Sequence, residues 1–176
     1  MKKIILLLVV FLSFSCQQKK EHETITIKKK YSVVLPSKFE KVNNLNEEAS
    51  LQYQYLPEEF YVIVIDEPKT AFEAAMKSNG SGLNGNLEDY YNIVKTNFEG
   101  FLENLKIYDE KRTTINGNKA VVFSVSGELQ GMGIFYRYAL IQGKSDFFQV
   151  MVWTEKARET KLKPNIDSII QSFRTL

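Results

Sequence analysis

The stretch KRTTINGNKAVVFSVSGELQGMGIFYRYALIQGKSDFFQVMVWT, residues 111–154, contains the clearest structural pattern in the chain. Runs rich in Val, Ile, Phe, Tyr and Trp alternate with short segments that contain glycine, as is typical of β-strands joined by tight turns. Asn116-Gly117 accepts the positive φ angles of a tight hairpin turn. The later connections between strands contain Gly127, Gly131, Gly133 and Gly143. We therefore predict an antiparallel meander with strands over residues 113–115, 120–126, 134–141 and 147–154.

The strands of this meander are apolar on both faces. In the strand over residues 134–141, Tyr136 and Tyr138 point to one side while Phe135 and Ala139 point to the other, because side chains alternate along a strand. An antiparallel sheet with one face in water would instead alternate apolar with polar residues. We therefore expect other segments of the chain to cover both faces of the sheet.

The segments outside the meander supply further strands and the helices that could cover the sheet. Alternation of apolar residues and β-branched runs predict strands over residues 25–35, 51–55 and 61–65. Helical periodicity is strongest over residues 87–105, where Asn86 can cap the helix and apolar residues form one continuous stripe. Shorter helices are predicted over residues 70–77 and 163–173. The pattern predicts an α+β fold, an antiparallel sheet of about six strands with helices packed on both faces.

Several short motifs follow one another in a distinctive order between residues 25 and 176. They are Tyr-Ser-Val-Val-Leu-Pro at 31–36 with Phe39 after it, Ile-Asn-Gly-Asn-Lys-Ala at 115–120, and Ser-Phe-Arg at 172–174. This order resembles the PsbP-like family, which includes DcrB-type bacterial lipoproteins, although many such domains have Trp where this chain has Phe39. The resemblance implies an α/β/α sandwich with an accessory or assembly role in membrane complexes, and it implies no family-wide catalytic residues.

The N-terminal segment has the pattern of a bacterial lipoprotein signal. Two lysines precede an apolar run at residues 4–14, which is too short to span a bilayer as a helix. Ser13-Phe14-Ser15-Cys16 resembles a lipobox, in a variant familiar in the Bacteroidetes, whose cysteine is acylated with chains such as palmitate. We therefore expect a signal peptide over residues 1–15 and a lipid anchor at Cys16. An ordinary secretory signal cut nearby and a short hydrophobic anchor are the alternatives.

Behind the cysteine, the chain divides into a tether and a domain. Residues 16–24 are predicted to be a flexible tether because they are polar and offer nothing to bury, and residues 25–176 form a single domain. Removal of Lys2 and Lys3 leaves 21 basic against 21 acidic residues, which gives no electrostatic footprint for nucleic acid. We expect a protein of the cell envelope, lipid-anchored at the periplasmic face or the outer-membrane surface, with an envelope protein complex as its candidate partner.

Residue types that support catalysis are scarce in this sequence. The only histidine, His22, lies in the predicted tether, which excludes histidine-based triads and the usual catalytic zinc sites from the domain. Gly80-x-Gly82-x-x-Gly85 has the letters of a dinucleotide-binding motif, but no strand precedes it and no βαβ unit follows. The adjacent carboxylates Asp66-Glu67 and Glu58-Glu59 are not obvious acid–base pairs, since neighbouring residues on a strand point to opposite faces. We predict no enzyme activity, no cofactor and no metal site.

Two classes of function fit these observations. A non-catalytic accessory or scaffold domain would show an exposed apolar or aromatic patch on an intact fold. A binding module for a small apolar or aromatic ligand would show a closed pocket between helix 87–105 and the sheet. The candidate residues for an aromatic cleft are five tyrosines on predicted strands: Tyr53, Tyr55, Tyr61, Tyr136 and Tyr138.

Overall fold

The computed structural model describes residues 21–78 and 84–176. Within these residues the strands are β1 (His22–Ile27), β2 (Tyr31–Pro36), β3 (Glu40–Lys41), β4 (Leu51–Tyr55), β5 (Phe60–Pro68), β6 (Glu103–Ile115), β7 (Asn118–Leu129), β8 (Met132–Gln142), β9 (Asp146–Glu155) and β10 (Arg174–Thr175). The α-helices are α1 (Lys69–Ser78), α2 (Leu87–Thr96) and α3 (Glu159–Ser172), and 3-10 turns cover Leu56–Glu58 and Lys156–Arg158. These elements confirm the predicted α+β class.

Most of the described strands form one antiparallel sheet, in the order β3-β4-β5-β9-β8-β7-β6. The predicted meander is its β6–β9 half. Ile115 pairs with Asn118 across the Asn116-Gly117 turn, where both φ angles are positive, +46° and +85°. Such values are those of the turn that suits the twist of a tight hairpin. This prediction is therefore confirmed, and the turn sets the register of β6 on β7.

Helices cover both faces of the seven-stranded sheet, as predicted. On one face α1 and α2 pack against β5, β7 and β8. On the other face α3 packs beside a second, three-stranded sheet in the order β1-β2-β10. Tyr31 of β2 stacks on Phe173 with ring centroids 5.2 Å apart and meets Phe148 of β9 edge-on. The apolar residues on both sides of each central strand are thus buried in two separate core clusters.

The helix predicted over residues 87–105 is shorter in the structure. α2 ends at Thr96, a turn follows in which Gly100 has a φ of +86°, and β6 then begins. Phe98 and Leu102 stay buried in the same cluster as α2 because the turn continues the apolar stripe along the sheet. The prediction was wrong because apolar spacing does not separate a long helix from a helix followed by a turn.

The strand predicted over residues 25–35 is a hairpin. β1 and β2 pair in antiparallel fashion around a turn in which Lys28 and Lys29 have φ angles of +43° and +57°. The apolar residues keep the same odd–even parity on both sides of this turn, so the alternation does not reveal the break. β1 already begins at His22. Residues 22–24 therefore lie in a strand, whereas the sequence had assigned them to the tether.

Several predictions concern residues outside the described ranges. Cys16, the signal segment and most of the glycine-rich motif before α2 lie there, so the lipid anchor stays a prediction. Among the described helices, none combines the length and the apolar character needed to cross a membrane.

Candidate functional site: an aromatic cleft at one end of the sheet

Three aromatic residues stand side by side on adjacent strands of the large sheet. Tyr61 of β5 pairs with Trp153 of β9, and Trp153 pairs with Tyr136 of β8. Directly opposed residues point to the same face, so the three rings form a row. The rings of Tyr61 and Trp153 stack with centroids 5.1 Å apart and an interplanar angle of 17°, and Tyr136 lies 5.8 Å from Trp153. The strand register therefore builds an aromatic strip across the sheet.

This strip forms part of an open cleft of about 320 Å³. Tyr61 and Trp153 are only half-buried, and Met132 at the start of β8 is 61% exposed. Leu45 reaches the cleft from the β3–β4 connection, where its backbone N–H donates to the Gln52 side chain. The lining residues are Leu45, Glu59, Tyr61, Met132, Gly133, Ile134, Trp153, Thr154 and Glu155. We call this site the aromatic cleft.

The helices of the same face cover a different part of the sheet. Tyr90 of α2 stacks on Phe147 with centroids 4.5 Å apart, and Tyr91 meets Phe123 edge-on at 5.1 Å. These ring contacts fill the space between α2 and the sheet with side chains. The aromatic cleft is therefore open rather than closed, and it lies beside the helix layer instead of beneath α2.

The rim of the aromatic cleft is polar. Arg158 lies 3.2 Å from Glu155 and 3.7 Å from Glu59, so one guanidinium group is shared by two carboxylates. Burial, with a contribution from the Glu59 carboxylate, raises the pKa of Tyr61 above its ordinary value. The Tyr61 phenol is therefore protonated at neutral pH and offers one hydrogen-bond donor beside an apolar floor. This combination suits an apolar or aromatic group with a polar end.

The five tyrosines predicted as candidates divide between the two faces. Tyr61 and Tyr136 belong to the aromatic strip, whereas Tyr138 is buried beneath Phe98. Tyr53 lies on the opposite face, where burial and the Glu23 carboxylate raise its pKa. Tyr55 packs on that face as well. Of the five candidates, Tyr61 thus lines the cleft, and Tyr136 is buried beside it, next to Trp153.

Among the other lining residues, only Glu59 was considered as a candidate from the sequence, and then as a carboxylate rather than as part of a cleft. Trp153 was assigned to a strand and Met132 to the connection before residue 134, but nothing local indicated that β5 pairs with β9, which brings residues far apart in sequence together. One signal was available: Trp153, the only tryptophan, has the same parity as Met151 and Phe147 and so shares their face.

Three of the four carboxylates considered as catalytic candidates, Asp66, Glu58 and Glu59, form ion pairs. The Asp66 carboxylate accepts from Lys30, and Glu58 accepts from Lys38 and Lys161 at 3.0 and 2.6 Å. Hydrogen bonds from Lys161 and Lys38 hold the pKa of Glu58 below its ordinary value. His22 is exposed at the start of β1. No group of three His, Cys, Asp or Glu side chains that could hold a metal ion occurs among the residues described.

A second groove, of about 440 Å³, lies where the described chain begins. Phe, Tyr and Trp are absent from its described lining, which is mostly polar: Glu21, His22, Pro36, Ser37, Lys38, Asn165, Ser168 and Ile169. Although larger than the aromatic cleft, it offers fewer apolar groups to a ligand or partner. The aromatic cleft is therefore the stronger candidate site.

Comparison with known proteins identifies the fold. No protein-family profile matches the sequence, and no curated protein matches it either. The solution structure of cyanobacterial PsbP (CyanoP) from Synechocystis sp. PCC 6803 is similar, with a TM-score of 0.59, 10% identity, and coverage of 93% of this chain and 98% of that one. LpqN of Mycobacterium tuberculosis, described as involved in cell envelope biogenesis, gives a TM-score of 0.54 and 10% identity over 82% of each chain.

A third solved structure is PA94 of Pseudomonas aeruginosa, described as a protein of unknown function and putative regulator. Its TM-score is 0.51 at 14% identity, with 86% of this chain and 95% of that one covered. At sequence identities this low, the structural similarity establishes a common fold and does not establish a common function. The chain therefore has the PsbP-like fold, which confirms the architecture that the sequence resemblance implied.

Proposed function

We propose that this protein is a lipid-anchored accessory protein of the bacterial cell envelope, whose non-catalytic domain docks a protein partner at the aromatic cleft. The observation that carries the proposal is the stacked Tyr61–Trp153 pair, which stays partly exposed on the sheet face that α1 and α2 cover elsewhere. Large aromatic side chains in a partly open pocket are the residues that most often dominate binding energy at protein interfaces. Binding of a partner over such an apolar cleft is favourable because it removes apolar surface from water.

The envelope location rests on sequence and fold. Ser13-Phe14-Ser15-Cys16 resembles a lipobox, and LpqN, which shares the fold, is described as an envelope biogenesis protein. The chemistry of the described side chains supports a non-catalytic role. Asp66 and Glu58 are held in ion pairs, and the cleft itself offers one phenol and two carboxylates that share a guanidinium group. These groups can orient a bound side chain, but they form no nucleophile–base pair.

The test is the native mass of the full-length lipidated protein, extracted from its own membranes in mild detergent. Wild-type protein and a Leu176→Ala control should each carry a stoichiometric protein partner, which mass spectrometry then identifies. Trp153→Ala should lose that partner while keeping its fold, because the variant removes the largest apolar surface of the cleft. A bare monomer for the wild type, or a partner that survives in Trp153→Ala, would contradict the docking role.

A second candidate function is the capture of a small apolar or aromatic ligand. The volume of the aromatic cleft, about 320 Å³, falls within the range of small-molecule sites. In that case a screen of small aromatic compounds should raise the thermal unfolding temperature of the wild type but not of Trp153→Ala. A partner-free native mass together with such a shift would favour this function over protein docking.

A further inference from the structure

Three of the four most exposed large apolar side chains among the described residues lie at one end of the domain. Among the described residues, four large hydrophobic side chains are more than half exposed: Leu56 at 56%, Phe101 at 52%, Met132 at 61% and Leu176 at 67%. Leu56 lies in the connection between β4 and β5, Phe101 directly before β6, and Met132 at the start of β8. We call Leu56, Phe101 and Met132 the apolar tip.

The strand register places the three residues of the apolar tip at the same end of the sheet. Leu56 directly follows β4, at the end of the sheet where Tyr55 pairs with Phe60 of β5. Strand β9, the other neighbour of β5, ends at the same end of the sheet with Glu155. Met132 follows the β7–β8 turn, and Phe101 precedes β6, whose first residue pairs with the last part of β7. Since β5, β9 and β8 are adjacent strands, their turns at this end lie within about 10 Å of one another.

The chain also enters the domain at this end. The Glu21 carbonyl accepts a hydrogen bond from the Ser37 N–H at 2.9 Å, and Lys38 next to it forms an ion pair with Glu58 at 3.0 Å. Glu58 belongs to the same β4–β5 connection as Leu56. The start of β1 therefore lies beside the apolar tip, whereas β1 ends at the opposite side of the molecule.

The length of the tether limits how far this end can move from a lipid anchor. Six peptide steps separate Cys16 from His22, so even a fully extended chain spans at most about 20 Å. If Cys16 is acylated, as in the function proposed above, the end of the domain that carries the apolar tip stays close to the membrane surface. Leu176 is at the far end, where its N–H donates to the Lys30 carbonyl in the β1–β2 turn.

We infer that the apolar tip rests in the membrane interface, with Leu56, Phe101 and Met132 inserted among the lipid headgroups. Transfer of exposed apolar side chains from water to the membrane interface is favourable in proportion to the apolar surface that leaves water. The charges next to Leu56 are already paired: Lys38 and Lys161 neutralise Glu58, and Arg158 bridges Glu59 and Glu155. Pairing lowers the cost of bringing these groups to a less polar medium. The domain thus has a fixed orientation on the bilayer. Because Met132 also lines the aromatic cleft, the cleft opens at the bilayer surface and leaves Tyr61 and Trp153 to the partner.

The protein has a single tryptophan, so a tryptophan moved by mutation becomes a clean depth probe. Two lipidated proteins are compared, Trp153→Phe/Leu56→Trp and Trp153→Phe/Leu176→Trp, after mass spectrometry has confirmed acylation of Cys16. Each is reconstituted in phosphatidylethanolamine–phosphatidylglycerol vesicles that contain phospholipids brominated on the acyl chain near the headgroup, and bromine quenches only nearby indoles. We expect strong fluorescence quenching for the Leu56 probe and none for the Leu176 probe. Equal quenching of both, or quenching of the Leu176 probe alone, would overturn the inference.

Two further arms identify the cause of the quenching. Adding Phe101→Asp and Met132→Asp to the Leu56 probe should remove most of its quenching, and thermal unfolding checks that the fold is retained, as expected for exposed positions. Quenching should also persist at high salt because the contact is apolar. Loss of the signal in salt, or no effect of the aspartates, would overturn the inference. If Cys16 carried no acyl group, the proposed anchor would be wrong, and the same probes added to vesicles as unacylated protein would decide the contact alone.

Discussion

The ammonium group of Lys30 lies 2.5 Å from the carboxylate of Asp66 and so connects the two sheets of the domain. Lys30 belongs to the β1–β2 turn of the small sheet, whereas Asp66 lies near the end of β5 in the large sheet. The same ammonium group reaches Asp146 at the start of β9, at 3.2 Å. Both carboxylates are largely buried, so this link is shielded from water more than an ordinary surface pair.

Removal of the Lys30 cation should destabilise the protein measurably. Lys30→Met leaves two largely buried carboxylates close together, and we expect the free energy of unfolding to fall by about 2 kcal/mol. Lys29→Met is the matched control, since Lys29 is exposed and should change the value by less than about 0.5 kcal/mol. Urea unfolding at neutral pH measures both variants. Equal losses for the two variants would show that the link contributes nothing specific.

The Asp66 carboxylate should give stability a defined pH dependence. Burial alone would raise the pKa of Asp66, but hydrogen bonds from Lys30 and Ser50 outweigh it and hold this pKa below its ordinary value of 3.8. A carboxyl group with a depressed pKa stabilises the fold above its unfolded pKa and loses that effect as the pH falls through the folded pKa. The stability gap between wild type and Asp66→Asn should be full at neutral pH and should shrink below about pH 4. A gap that is unchanged in acid would contradict this assignment.

The start of α2 should depend on the Asn86 side chain. Its carbonyl oxygen accepts from the N–H groups of Glu88 and Asp89 at 2.8 and 3.0 Å, and the Asp89 carboxylate accepts in return from the Asn86 N–H. Asn86→Ala should lower the free energy of unfolding by about 1 kcal/mol, while Asn86→Ser should keep most of the stability because serine also caps helices well. Urea unfolding separates the two, and equal losses in both variants would contradict a capping role.

Local chemistry made much of the fold predictable from the sequence. Asn116-Gly117 determined a hairpin turn, Asn86 a helix start, and the two-faced apolar strands a sheet covered on both sides. The end of α2 was missed because Phe98 and Leu102 continue its apolar stripe through a turn. The division into two sheets was not predicted either, because no local pattern separates the strands of the three-stranded sheet, β1, β2 and β10, from those of the larger sheet.

The aromatic cleft was only partly predictable for the same reason. Tyr61 and Tyr136 were candidates because strands favour aromatic residues, but their contact with Trp153 depends on the pairing of β5 with β9 and β9 with β8. Tyr53 has the same residue type and a similar position in its strand, yet it faces the other way because its register on β5 places it opposite Val62. Residue type indicated an aromatic surface, and only register decided which rings share it.

The buried tyrosines should titrate only when the protein unfolds. Burial raises the pKa of several phenols above the ordinary value of 10.0, among them Tyr90 and Tyr138. A group whose folded pKa is raised contributes stability below its unfolded pKa and loses it as the pH rises through the folded pKa, so alkali above about pH 10 should destabilise the fold. Phenolate absorbance and near-ultraviolet circular dichroism should therefore change together for these residues. Complete ionisation of all tyrosines in a protein that keeps its near-ultraviolet signal would contradict this expectation.

Trp153 and Phe123 should differ sharply in what they contribute to folding. Phe123 is fully buried and stacks on Tyr138 with ring centroids 5.2 Å apart, so Phe123→Ala should lower the free energy of unfolding by about 3–5 kcal/mol. Trp153 is only partly buried beside Tyr61, and Trp153→Ala should cost less, about 2 kcal/mol, because part of the ring already faces water. Urea unfolding of both variants measures the difference. A loss for Trp153→Ala as large as that for Phe123→Ala would make the indole a core residue, and a partner lost in that variant would then reflect unfolding rather than docking.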